Sequence, residues 1–255
     1  MKRLNFLIFI FVAITALSCN STNGPNNINN IIDEPYDFPL RPGMPEWANL
    51  KTGVEKLNAL QIPEDILNRM TTRSLVETCL DYPMFMDIMA NNFPLTEGIK
   101  FAIANFNGFT ELLKRPDAYT YLSEKFLSFD PLAVNNEEWS LIEKGGYTFR
   151  PIKIELLLAQ DAILESINYE RKIILLNESL VKYEKMLTLT EYYSVFNYES
   201  LFLFIAKTLL KSGNPNVSSM IVNNNEISIL LESGRLTGDV VNDIISILNV
   251  IGVTR

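Results

Sequence analysis

The segment "VVNDIISILNVIG", residues 240–252, sets Val240, Val241, Ile244, Ile245, Leu248 and Ile251 three and four positions apart, and Gly252 follows. That spacing puts all six side chains on one stripe of a helix with 3.6 residues per turn, and a glycine is a favoured stop. The pattern recurs along the chain and limits what it can fold into. "TTRSLVETCLDYP" offers a threonine cap, then Leu75, Val76, Cys79 and Leu80 at helical spacing, then Pro83 as a stop. In "LQIPEDILNRM", Pro63 suits a helix start, and Glu64 and Asp65 suit the positive end of its dipole. Short helices are predicted in "MFMDIMANN", "LTEGIKFAIANFNGFTELLK" and "RPDAYTYLSEKFLSF", and a largely apolar inner helix in "IKIELLLAQDAILESI". In 171–187, Ile173, Leu176, Leu180, Tyr183 and Leu187 are expected to face the core, with Glu178, Lys182 and Lys185 facing water. Residues 201–210, "LFLFIAKTLL", are too few for a membrane span and read as a buried helix. Asn225 is the expected cap of "EISILLES", with Gly234 its stop, and Thr237 or Asp239 the cap of the last helix. Strand-like alternation is confined to "NVSSMIV".

The expected fold is therefore all-α, an irregular stack of helical hairpins over residues 36–255. The pairing of 95–114 with 116–128 loosely fits a HEAT-like superhelix, and "EKGGYTFRP" at 143–151 is the expected hinge between two lobes. Three prolines, Pro39, Pro42 and Pro45, make 36–50 an extended strap. Its aromatic residues Tyr36, Phe38 and Trp47 are expected to pin it to the core.

The first residues read differently. Lys2 and Arg3 precede an apolar run from Leu4 to Leu17, which has the form of a signal peptide over residues 1–18. The ending Ala16-Leu17-Ser18-Cys19 resembles a bacterial lipobox, which implies lipidation of Cys19. The following "NSTNGPNNINN" is poor in apolar groups, so residues 19–35 are expected to be a flexible tether. The expected location is the cell envelope, at the outer membrane, with Cys19 making the contact to lipid.

Composition narrows the chemistry. The 255 residues include no histidine, which removes Ser-His and Cys-His nucleophile pairs and His-ligated metals. Net charge is −8, and without residues 1–18 there are 20 basic against 30 acidic residues. Such a surface repels phosphate backbones, so no nucleic-acid partner is expected. No metal-ligand cluster, phosphate loop or dinucleotide fingerprint is present, so no cofactor is expected. Cys79, on an apolar stripe, is expected to be a buried thiol. Ser179–Lys182 matches S-x-x-K, and S-x-N occurs at Ser166 and K-T-G at Lys51, but their order is the reverse of that in penicillin-binding enzymes. Glu137 with Glu138, and Asp161 with Glu165, are the nearest carboxylate pairs for glycoside hydrolysis.

The segments "LRPGMPEW", "LNALQIPEDIL", "LVETCLDYPMFMDI", "NFNGFTELLKRPDA" and "IELLLAQDAIL" resemble recurring segments of a family of uncharacterised, secreted or lipid-anchored Bacteroidetes proteins. The resemblance spans residues 40–165 and implies a helical, HEAT-like fold in the cell envelope, with no activity or site residues to carry over. The expected function is that of a non-enzymatic, lipid-anchored helical domain that binds a protein or envelope component. A carboxylate-based hydrolase of glycan or peptidoglycan and a small-ligand carrier are the alternatives.

Overall fold

The computed structural model describes residues 31–91 and 94–253. The leader, Cys19 and the tether as far as residue 30 lie outside the described residues. The fold is all-α. The helices are α1 (Gly53–Ala59), α2 (Glu64–Leu67), α3 (Thr72–Leu80), α4 (Phe85–Ala90), α5 (Leu95–Asn105), α6 (Asn107–Leu112), α7 (Ala118–Ser128), α8 (Leu141–Leu158), α9 (Asp161–Ser166), α10 (Tyr169–Leu187), α11 (Val195–Leu210), α12 (Pro215–Val222), α13 (Asn225–Ser233) and α14 (Val240–Val250). Single turns of 3-10 helix lie at Trp47–Asn49 and Pro131–Asn135. Among the described residues the one β-type pairing is an isolated parallel bridge between Ile32 and Met70.

Local chemistry accounts for the helix ends. Thr71 accepts a hydrogen bond from the Ser74 amide, and Asn168 accepts one from the Arg171 amide. Thr52 with Glu55, and Ser140 with Glu143, form reciprocal capping boxes. The cap of α13 is Asn224, one residue before the expected Asn225, and Gly234 ends the helix at φ +74°. A side chain at Gly234 would also collide with Leu95, so α5 and the end of α13 meet there at close range. "NVSSMIV" is helical and not a strand. Asn214 caps it, Pro215 supplies the first helical φ, and Val217 and Ile221 bury one face of α12. The β-branched composition is overridden by that cap and by packing on α11.

The most extensive helix contact is between α8 and α11. Ile152, Ile154 and Leu156 to Leu158 of α8 are buried, as are Leu201 to Ala206 and Leu209 of α11. Helix α7 covers another face of α8, and α3 lies across α6 and α7. Residues 95–114 and 116–128 do not pair as one hairpin. Helix α5 packs mainly on α4, α6 and α13, whereas α7 packs on α3, α8, α9 and α10. The separation arises at Phe106, which breaks α5 from α6 and joins Phe38, Tyr82 and Phe109 in an aromatic cluster. Its neighbour Asn107 clamps the backbone N–H and C=O of Ile62. At the other end of α5, Thr96 donates to the carbonyl of Glu232, 136 residues away, at 2.6 Å. These pairings tie the N-terminal helices to the C-terminal ones.

The strap behaves as its aromatics require: Phe38 and Trp47 are buried. Contacts with the helices begin before Tyr36. Ile32 exchanges backbone hydrogen bonds with Arg69 and Thr71, and Asp33 accepts from the Thr71 hydroxyl. Residues 31–35 thus belong to the domain, because Ile32 finds backbone partners in the α2–α3 turn. Cys79 is fully buried, and burial pushes its thiol pKa well up.

The expected hinge at 143–151 is the N-terminal half of α8, which runs unbroken through Gly145, Gly146 and Pro151. Pro151 removes one backbone bond, and the two glycines weaken the helix. The capping box at Ser140 and the buried surface beyond Pro151 outweigh both. Gly145 has open space where a side chain would stand and no left-handed φ. Gly145→Ala should therefore stabilise the protein by about 0.5–1 kcal/mol. Thermal denaturation should show a rise of about 1–4 °C in Tm, and a loss of stability would mean that this stretch is not helical.

Candidate functional site

The N-terminal half of α8 is amphipathic in an unusual sense. Its first turns place Glu143, Gly146, Tyr147, Arg150 and Lys153 along one face, at helical spacing, with Phe149 beside them. This face looks onto the C-terminal end of α3, and the space between them is a cleft of about 610 Å³. Glu77, Leu80 and Asp81 line the α3 side, Met86 of α4 closes one end, and Trp139 stands at the rim.

Each element sets its side chains by ordinary means. The ring of Trp139 lies 5.0 Å from Tyr147, which stacks at 4.9 Å on Phe129. The Tyr147 hydroxyl donates to the Asp130 carbonyl at 2.8 Å, and burial raises its pKa. Lys153 lies at the floor, where its ammonium donates to the last carbonyl of α3, that of Leu80, at 2.8 Å. The same ammonium sits 5.7 Å from the centre of the Phe85 ring, and burial lowers its pKa. Phe149 and Arg150 are exposed.

The carboxylates of the cleft are engaged. Glu77 pairs with Lys125, and Asp81 with Arg41 at 2.6 Å. Glu143 accepts from the Ser140 amide and hydroxyl, which holds its pKa down. The Arg150 guanidinium makes no hydrogen bond or ion pair with any described residue. The site therefore offers a free guanidinium, an indole and a partly exposed phenyl ring beside one another. Such a surface holds a ligand through shape, apolar contact and charge.

The residues singled out in the sequence fall elsewhere. Asp161 and Glu165 share a face of α9, where Lys211 bridges them at 3.4 and 2.7 Å and Lys207 adds a contact at 3.6 Å. Glu137 and Glu138 lie exposed in the turn before α8. Ser179 is buried, with its hydroxyl donated to the Leu175 carbonyl at 2.8 Å. Lys182 does not face water as expected: it is 2 % exposed. Its ammonium donates to the Phe129 carbonyl and to Glu178, and it sits by the Phe126 and Phe129 rings. Those partners replace the water that a buried ammonium loses. Among the described residues, no three His, Cys, Asp or Glu side chains gather as a metal site. The cleft residues were hidden in the segment read as a hinge, although Glu143, Tyr147, Arg150 and Lys153 fall on one helical face there.

Beneath the cleft, Glu155 is buried in the seam between α8 and α11, where it accepts from the Ser200 hydroxyl. Desolvation pushes its pKa up to about 8, against the pull of that hydrogen bond and of Lys182.

Fold and cleft together define the chain as an all-helical domain with an aromatic-lined cleft. No protein-family model, curated protein or solved structure matches the chain.

Between pH 4.5 and about 8 the folded state holds a proton on Glu155 that the unfolded chain has released. Stability should therefore fall as pH rises through this window, with a contribution from Glu155 of up to about 1.4 kcal/mol per pH unit. Glu155→Gln keeps an acceptor for Ser200 and removes the charge. Urea midpoints at pH 5 and pH 8 should converge in the variant relative to the native protein. An unchanged pH slope would mean that Glu155 is ionised in the fold.

Proposed function

We propose that this chain is a lipid-anchored cell-envelope protein, held at the outer membrane through Cys19, whose helical domain docks a protein partner in the α3–α8 cleft. The observation that carries the docking is the gathering of Trp139, Tyr147, Phe149 and Arg150 around one cleft. Tryptophan, tyrosine and arginine dominate the energetics of protein interfaces, where they act as rigid anchors in pockets. In the first turn of α8, Leu141 and Ile142 are 83 % and 87 % exposed. Large apolar side chains held in water on this helix suit a surface that a partner covers.

The anchor rests on the lipobox-like Ala16-Leu17-Ser18-Cys19 and the positive, then apolar, leader before it. No helix among the described residues is long and apolar enough to cross a membrane. A non-catalytic role is supported by the cleft's own carboxylates, since Glu77, Asp81 and Glu143 are all tied to cations or a helix cap.

Two measurements in cells test the reading. A palmitate analogue should label the native chain and not Cys19→Ser; equal labelling would remove the anchor. A photo-crosslinker placed at Phe149 should give a discrete adduct that one at exposed Asn223 does not. Trp139→Ala with Arg150→Ala should reduce that adduct at least about tenfold, the effect of losing interface anchors. An adduct that persists in this variant would contradict docking at the cleft.

A further inference from the structure

Within the docking reading, on which it rests, we infer that the cleft selects a short acidic peptide segment, with a carboxylate clamped by Arg150 and a neighbouring apolar side chain on Phe149. The charge pattern decides the sign. Lys125 and Arg41 neutralise Glu77 and Asp81, Glu143 is held by its capping box, and the ammonium of Lys153 lies on the Leu80 carbonyl. What remains unpartnered is one guanidinium, that of Arg150. A basic segment would meet a like charge with every nearby carboxylate already engaged. An acidic one would complete the set.

Arginine is also the side chain whose geometry suits this task. Its planar fork gives two parallel N–H···O bonds to one carboxylate, a geometry that a lysine cannot reproduce. Trp139 and Phe149 line the same cleft as Arg150 and offer apolar surface next to such a pair. A polyanion is disfavoured, because the chain carries a net −8 while, among the described residues, the cleft has a single free cation. The complement is an isolated Asp or Glu set beside Leu, Ile or Phe.

The test is selection of a displayed random-peptide library on the full chain in detergent micelles, followed by titration of the enriched peptides. The native chain should enrich peptides carrying Asp or Glu next to a large apolar residue. Arg150→Lys should weaken the best peptide several-fold, and Arg150→Glu at least about tenfold, with circular dichroism unchanged. Raising salt should weaken binding to the native chain more than to Arg150→Gln. Enrichment of neutral or basic peptides, or equal binding by Arg150→Glu, would overturn the acidic preference and leave docking intact. Equal enrichment on the native chain and Trp139→Ala would overturn docking itself. Binding of an oligogalacturonate probe in place of any peptide would overturn the peptide assignment.

Discussion

The packing of α8 on α11 is the contact on which the rest of the structure depends. Each helix supplies a nearly continuous buried surface, from Ile152 to Leu158 on one and from Leu201 to Leu209 on the other. In a folded protein most of a helix's stability comes from packing of its buried face, and here each supplies that face to the other. The remaining helices are arranged about this pair: α7 and α3 on the side of α8, and α12, α13 and α14 on the side of α11. The tie between α5 and α13 then fastens the N-terminal helices to the C-terminal group. Buried polar groups sit in the seam as well. Asn197 of α11 donates to the Thr148 carbonyl of α8 at 2.6 Å, and Ser200 to Glu155. Such pairs fix the rotation of one helix against the other, because any slip strands a donor without water.

The same helix supplies the candidate site. Beyond Pro151 α8 is core, and before it the helix is one wall of an open cleft. Burial of the first part therefore positions the second, and the rim residues Trp139, Phe149 and Arg150 need no support of their own beyond the capping box and the Tyr147 stack. A cleft wall on a helix anchored in this way is preorganised, and under the proposed docking role that would lower the entropy cost of capture.

Much of the fold was legible in the sequence, because the signals were local. Caps such as Thr71, stripes such as Val240 to Leu248, and the stop at Gly234 act within a few residues and need no knowledge of the partner helix. What failed was tertiary. Gly145, Gly146 and Pro151 are genuine helix weakeners, and only the buried surface on α11 explains why they do not break α8. Lys182 was placed in water by its charge, yet Phe129 offers it a carbonyl from another part of the chain. Residues 31–35 looked like tether because their partners, Arg69 and Thr71, are distant in sequence. The cleft shares this cause: a segment with two glycines and a proline presents no functional face unless it is helical. Its signal, Glu143, Tyr147, Arg150 and Lys153 at helical spacing, becomes visible only once the segment is helical.

Helix α8 is one continuous helix whose buried half holds its cleft-lining half in place. Native-state amide hydrogen exchange measures this directly. The amides of Thr148, Phe149 and Arg150 should be protected by at least about 10³-fold, and protection should resume at Ile152, after Pro151, which has no amide, and run to Leu158. Exchange at 147–150 near the rate of an unstructured peptide, beside slow exchange at 154–158, would contradict it, because the cleft would then have no preformed wall.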